Sequence, residues 1–297
     1  MWRRRRSRRW TKCCVATGDQ GSGRPAVDIL GVRFDALTRA QAAAEIARLA
    51  TGDEKRYVVK PYSEFLPRAA RDPNVRAILN GAALCLPDGV GILWAAHYLS
   101  LPGGQVRAFA QLPLSLATMT FRAWSIGNLL PEAMAGVDLT WVMLKELEAA
   151  GASVYLLGGS AGEIKGTREV IERRYPGLRV VGSHHGHFGL RGKASDQVVR
   201  AINATAPDAL LVAMGFPRQE QWIAANLGQL KVKVAVAEGG SFTFMSGQTS
   251  RAPHWMRRAG LEWLFRLLRQ PWRLRRQLAL PVFVWLVFRE RLSRPGR

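Results

Sequence analysis

The chain has 297 residues, 48% of them apolar and 22% charged, an ordinary globular composition with enough length for one large or two small domains around a substantial core. Its longest apolar runs, Leu278–Phe288 (broken by Pro281) and the mixed stretch Ala108–Phe121, fall short of the roughly 18 residues that a spanning helix needs. The net charge of +21 is carried by the ends, with +7 over residues 1–25, +10 over 251–297 and +4 in between, so the ends seek an anionic surface, either nucleic acid or anionic lipid.

The basic N-terminal start lacks the apolar stretch of a complete signal peptide. Cys13, Cys14 and Cys85 form no CxxC pair, which suggests neither a disulfide framework nor a zinc site and fits a reduced cytoplasmic compartment. Residues 1–25 read as a disordered basic tail ending in a Gly/Ser-rich linker. The body, 26–250, opens with a short strand over Ile29–Phe34 and a helix over Thr38–Ala50, with Thr38 as N-cap. A β-branched strand over Arg56–Lys60, helices over Ser63–Arg71 and Asn74–Asn80, and a buried run Ala83–Leu86 lead into Pro87-Asp88-Gly89. Leu99–Ala135 is apolar with basic punctuation. It reads as an amphipathic insertion with a helix around Ala108–Trp124; a core helix pair is the alternative.

From Ala152 strands and helices alternate: strands Ser153–Leu157, Arg179–Gly182, Ala209–Met214 and Lys233–Ala237, and helices Ala161–Tyr175, Ala194–Thr205 and Arg218–Leu227. Buried β-branched strands separated by helices imply an α/β fold, a Rossmann-like parallel sheet flanked by helices. In such a sheet the ligand site lies at the carboxyl ends of the strands. Gly158-Gly159-Ser160, Gly186, Gly215-Phe-Pro217-Arg-Gln219-Glu220 and Glu238-Gly239-Gly240-Ser241 all fall there.

Gly158 and Gly159 precede a helix start and could let backbone N–H groups approach a phosphate, or simply form a tight turn. Gln219 and Glu220 sit in the first turn of a helix, where an amide and a carboxylate can read a base edge or a sugar diol; the alternative is an acidic complement to the helix dipole. Asp88, between Pro87 and Gly89, could be a general base on a rigid turn, or an ordinary turn residue. Ser183-His-His-Gly-His187 has no matching carboxylate or cysteine, and metal is not expected there. The sequence holds no Asp-x-Asp pair, so a nucleotide-diphosphate leaving group would need arginines to stabilise it.

The segment 251–297 supplies them as a basic, Trp-rich helical appendage. Arg266, Arg269, Arg273 and Arg276 recur at helical spacing, with Pro271 imposing a kink or break. Trp255, Trp263, Trp272 and the run Leu278–Phe288 supply the composition of a helix lying in a membrane interface. A solvated charged face on an aromatic-packed helix is the alternative.

Taken in order and spacing, several motifs resemble one family from about Val27 to Arg276. They are Leu86-Pro-Asp-Gly-Val-Gly91, Gly136-Val-Asp138, Tyr155-Leu-Leu-Gly-Gly159, Tyr175-Pro-Gly with Gly186-His-Phe188, Gly215-Phe-Pro-Arg-Gln-Glu-Gln-Trp222, and Arg251-Ala-Pro with Gly260-Leu-Glu-Trp-Leu-Phe-Arg266. The chain resembles the WecG/TagA/CpsF bacterial glycosyltransferases (glycosyltransferase family 26). The resemblance implies an inverting hexosyltransferase that moves N-acetylmannosamine, its uronic acid, glucose or glucuronic acid. The donor would be a UDP-sugar and the acceptor a polyprenyl-diphosphate-linked glycan of cell-surface polysaccharide synthesis, with no obligatory metal and no other cofactor. It would work at the anionic inner face of the plasma membrane as a peripheral protein, with self-association left open.

Carried over by position, the resemblance makes Asp88 the general base. Gly89, Gly91, Asp138, Gly158, Gly159, Gly186, Gly215, Pro217, Gln219 and Glu220 become substrate-binding, and Arg251, Arg266, Arg273 and Arg276 diphosphate-stabilising. The chain departs from the family pattern at Lys60-Pro61-Tyr62 (usually Thr-x-Asn), Ala133 (usually Arg) and Thr243 (usually Asp), so the sugar is not implied. Two other readings stand beside this one: a catalytically impaired UDP-sugar-binding relic, and a basic nucleic-acid-binding protein. The arginines alternate with apolar residues and no nucleic-acid recognition fold is apparent, so nucleic acid is not expected as a partner.

Overall fold

A computed structural model describes residues 23–121, 129–134, 136–249, 252–253, 256, 262–269 and 278–294. Six strands, β3 (Arg56–Val59), β4 (Leu84–Cys85), β5 (Ser153–Gly158), β6 (Arg179–His184), β7 (Ala209–Ala213) and β8 (Val234–Ala237), form one sheet in the order β4-β3-β8-β7-β5-β6. Every neighbouring pair is parallel. Successive side chains point to opposite faces, so each inner strand feeds two cores. Tyr57, Val59, Tyr155, Leu157, Leu210, Val212, Ala235 and Ala237 face one core. Val58, Val154, Leu156, Ala209, Leu211, Val234 and Val236 face the other. Burial on both faces is why these strands read as continuous apolar runs.

The second core is covered by α1 (Arg39–Thr51), α6 (Gly136–Ala149) and α7 (Ala161–Arg174). As expected, Thr38 caps α1, in a capping box with Gln41. The first core is covered by α3 (Pro73–Asn80), α4 (Val90–Ser100), α8 (Lys193–Thr205) and α9 (Arg218–Asn226), together with the C-terminal helix Ala279–Ser293. Short helices α2 (Leu66–Arg71) and α10 (Ser241–Met245) complete the loops after β3 and β8.

Three local differences from the sequence reading have physical causes. The strand expected over Ile29–Phe34 is a hairpin, β1 (Ala26–Ile29) with β2 (Val32–Asp35), because Leu30 and Gly31 take φ of 54° and 75°. Positive φ at both central residues suits a two-residue turn between strands. Arg24, placed in the tail by composition, joins the body: its guanidinium pairs with Glu45 at 2.9 Å and donates to the Ala83 carbonyl. Residues 1–22 lie outside the described ones.

The third concerns Leu278–Phe288. This run does not face outward as a whole: Phe283, Val287 and Phe288 enter the first core, where Phe283 meets the Trp94 ring at 6.0 Å. The helix is pinned at both faces. Glu290 accepts from the Leu30 N–H at 2.8 Å, and buried Arg291 donates to the carbonyls of Leu101 and Gly103. The insertion forms α5 (Gln105–Phe121), longer at its start than expected. Its inner side is held by α4: the Tyr98 hydroxyl donates to the Ala108 carbonyl at 2.8 Å and the Trp94 indole to Ser115 Oγ at 3.1 Å.

Candidate active site

The loops that leave β3, β4, β5, β6, β7 and β8 line the carboxyl edge of the sheet, and the residues singled out from the sequence fall into two groups along it. The first surrounds Asp88. Its turn is held by three backbone bonds: Leu86 N–H to Val59 O at 2.9 Å, Asp88 N–H to Pro61 O at 3.1 Å and Met134 N–H to Pro87 O at 2.7 Å. Gly89 follows with φ of 87° and starts α4. Gly91 is a glycine for space, since a Cβ there would sit 2.1 Å from Ser63 Oγ. The half-buried Asp88 points one carboxylate oxygen at the start of α6, 3.5 Å from where a Cβ on Gly136 would lie; Ser241 Oγ is 3.4 Å from the same point. Asp138 sits in the first turn of α6, whose N–H groups favour negative charge. A carboxylate on a backbone-braced turn at the sheet's carboxyl edge can accept a proton from a hydroxyl placed against it.

The second group joins the ends of β5, β6 and β7. Gly158 has φ of 136°, and a Cβ on it would lie 2.3 Å from the Ala213 carbonyl oxygen. Gly159 donates to Ala213 O at 3.0 Å and accepts from Gly186 N–H at 2.9 Å. These glycines let three strand ends close up. The helix start they precede is already capped: Ser160 Oγ accepts from Glu163 N–H and Glu163 accepts from Ser160 N–H at 2.7 Å. That capping box places a carboxylate where a phosphate would otherwise sit. The same Glu163 accepts from the Thr243 hydroxyl at 2.6 Å, so a hydroxyl rather than a second carboxylate suits position 243.

Gln219 and Glu220 are buried rather than open to a ligand. Gln219 Oε1 accepts from the N–H groups of Gly215 (3.1 Å) and Gly239 (3.0 Å), tying the loops after β7 and β8 together, and its amide donates to Glu220 at 2.8 Å. Burial pushes the Glu220 carboxyl up to about 7, against the pull of that amide. Pro217 precedes α9, and Arg218 donates to the carbonyls of Gly186 and Phe188, tying the β6 loop to the β7 loop. His184, His185, His187, Phe188 and Gln197 border a cavity of about 370 Å³ beside α8. Among the described residues no group of three His, Cys, Asp or Glu side chains is placed to hold a metal ion.

One constellation went unrecognised in the sequence. Lys60, at the end of β3, donates to Glu238, at the end of β8, at 2.7 Å; the two side chains are 3% and 0% exposed. The Thr140 hydroxyl touches the same oxygen and also lies 2.7 Å from the Gly136 carbonyl, while Glu238 Oε1 has no hydrogen-bond partner among the described residues. Thr140 and Gly136 link this ion pair to the Asp88 group. A usable signal was present: an unlike charge directly follows each of two neighbouring apolar strands. Of the appendage, a helix Glu262–Arg269 is described. Arg251, Arg273, Arg276, Trp255 and Trp272 lie outside the described residues, as do the side chains of Arg266 and Trp263.

Comparison with known proteins agrees with this architecture. The family model described as "Glycosyl transferase WecG/TagA/CpsF family" matches residues 27–120 and 112–297. Proteins of Staphylococcus aureus strains MW2 and NCTC 8325 / PS 47 are 27% identical over 273 residues, covering 91% of this chain and 95% of theirs. Both are named N-acetylglucosaminyldiphosphoundecaprenol N-acetyl-beta-D-mannosaminyltransferase.

Proposed function

The chain belongs to the glycosyl transferase WecG/TagA/CpsF family, and from that premise we propose that it transfers an N-acetylmannosamine-type sugar from a UDP donor to a polyprenyl-diphosphate-linked N-acetylglucosamine. The relatives' names support the sugar class and the acceptor. The observation that carries the chemistry is the Asp88 carboxylate, braced on the turn after β4 and directed at the α6 start beside Ser241.

In this reading Asp88 takes the proton of the acceptor hydroxyl as that oxygen attacks the anomeric carbon. The bond from that carbon to the UDP oxygen breaks on the opposite face, and its electron pair leaves on the diphosphate. A single displacement inverts the anomeric centre and needs one base. The leaving charge falls to Arg251, Arg266, Arg273 and Arg276, without a metal. Gly158, Gly159, Gly186, Gly215 and Pro217 shape the donor wall, and Gln219 with Glu220 holds its loops in place from beneath. A general base contributes about 10²–10⁴-fold. Asp88→Asn should therefore cut UDP release by at least about 100-fold with lipid-diphosphate acceptor, while UDP-sugars still protect it against thermal unfolding. Unchanged turnover would remove Asp88 from the mechanism.

A second reading, sugar-nucleotide binding without transfer, has the Lys60–Glu238 pair in its favour, because at the ends of β3 and β8 it ties up both charges in a buried ion pair. Protection by a UDP-sugar in a protein that transfers to no acceptor would select it.

A further inference from the structure

We propose that the buried Lys60–Glu238 pair positions Asp88, by joining the turn that carries this carboxylate to the start of α6 that it faces. The Asp88 turn rides on the segment that leaves β3. Leu86 N–H donates to Val59 O at 2.9 Å and Asp88 N–H to Pro61 O at 3.1 Å. The start of α4 lies against Ser63, whose Oγ is 2.1 Å from where a Cβ on Gly91 would be. Lys60 stands between the two acceptor residues. Its side chain is 3% exposed; it crosses to the neighbouring strand β8 and donates to Glu238 at 2.7 Å.

Glu238 holds the facing wall. Its Oε2, the oxygen that Lys60 grips, also meets the hydroxyl of Thr140, a fully buried residue one turn into α6. That hydroxyl lies 2.7 Å from the carbonyl of Gly136, the first residue of the helix. The backbone of Glu238 holds the rest of the wall: its carbonyl accepts from Ser241 N–H at 3.1 Å and from Ser241 Oγ at 2.8 Å. Asp88 faces these same groups, its Oδ2 being 3.5 Å, and Ser241 Oγ 3.4 Å, from where a Cβ on Gly136 would lie. Lys60 is therefore fixed to one wall by its backbone neighbours and to the other by its ammonium group.

Stability does not account for this pair, since well-packed apolar residues of similar volume serve as well or better. Both bonds converge on Oε2, while Oε1 has no partner among the described residues. What charged, hydrogen-bonded atoms add over apolar contact is direction and a fixed distance. A base needs both, because a misplacement of about 1 Å costs a reaction about 100-fold. Lys60 and Glu238 touch no reacting atom; they act through the placement of Asp88. The consequence for turnover rests on Asp88 as the base, whereas the link between the two walls does not.

The test uses the full chain as Lys60→Met/Glu238→Met, which removes both charges and keeps the volume, and as Thr140→Val and Thr140→Ser, which remove and keep the hydroxyl. Turnover is measured with UDP-N-acetylmannosamine and a short-chain polyprenyl-diphosphate-linked N-acetylglucosamine, and amide hydrogen exchange is followed over residues 86–91 and 136–140. The double variant and Thr140→Val should stay folded and keep their protection by the UDP-sugar against thermal unfolding. Their kcat should fall by about tenfold or more with KM unchanged, and exchange should quicken over both segments. Thr140→Ser should match the wild type in both readouts. Should the double variant fail to fold, the two Thr140 variants decide alone. Wild-type kcat and exchange in the double variant overturn the proposal, as does a Thr140→Ser that falls as far as Thr140→Val. A fall in kcat without any change in exchange also overturns it, because the pair would then act on the ligand and not through the turn. If the wild type transfers no sugar, exchange decides: faster exchange in the variants refutes the enzymatic reading and leaves the link standing, and unchanged exchange refutes the link.

Discussion

Removing one member of the Lys60–Glu238 pair should be among the most damaging single changes in the body of this protein. The side chains are 3% and 0% exposed and 2.7 Å apart, so neither charge can recover its hydration when the other is lost. Glu238 already has one oxygen without a hydrogen-bond partner among the described residues, and the Thr140 hydroxyl cannot neutralise a charge. Truncating one partner of such a pair costs about 3–5 kcal/mol, whereas replacing both with well-packed hydrophobic residues of similar volume is often neutral or stabilising. Lys60→Met alone should therefore lose about 4 kcal/mol, or roughly 10 °C in midpoint for a chain of this size. The double variant Lys60→Met/Glu238→Met should regain most of it. Urea unfolding followed by circular dichroism, run as a double-mutant cycle, measures the coupling directly. A Lys60→Met loss below about 1 kcal/mol, or a double variant as unstable as the sum of the two singles, would refute the reasoning.

Two further outcomes follow from the site. Glu220 has a folded-state pKa of about 7 against an ordinary 4.5, so the unfolded chain releases its proton first as pH rises. The contribution of Glu220 to stability should be full below pH 4.5, decline between 4.5 and 7, and be smaller by roughly 3 kcal/mol at pH 8. Glu220→Gln should flatten that decline and exceed the wild type in stability at pH 8; an identical pH profile for the two proteins would contradict the assignment. Gly158→Ala should lower stability by about 3 kcal/mol or more, because its Cβ would meet the Ala213 carbonyl at 2.3 Å on a backbone with φ of 136°. Thermal unfolding reads it, and a loss under about 1 kcal/mol would mean that the β5 and β7 ends can part cheaply.

Much of the architecture was legible because it is written in local patterns. Strands buried on both faces must be apolar at nearly every position, and helices between them must carry a 3.6-residue stripe, so the alternation from Ala152 onward and its helix boundaries read directly, whereas α4 and α6, on either side of the Asp88 turn, were not read as helices. The hairpin at Leu30–Gly31 was missed because its turn lacks the usual Asn-Gly or Asp-Gly pair. Gly158 and Gly159 were read as room for a phosphate or as a tight turn, and Gly186 as substrate-binding. The structure supplies a nearer cause, the close passage of neighbouring strand ends, which no single strand's sequence reveals.

What the sequence determined by itself was the fold class, the carboxyl-edge position of Asp88 and the glycine loops, and the family pattern, since each depends on residues close together in the chain. The tertiary structure decided what those residues touch. Lys60 and Glu238 are 178 positions apart and became a pair only when β3 and β8 lay side by side. Gln219 turned from a presumed ligand reader into a tie between two loops, because Gly239 arrives from the next strand. The run Leu278–Phe288 was divided between core and surface, because helical periodicity sends Phe283 and Phe288 inward and Trp285 outward once a core is there to receive them. Composition can say that a segment is apolar and basic; only packing decides which of its side chains are buried and which stay exposed.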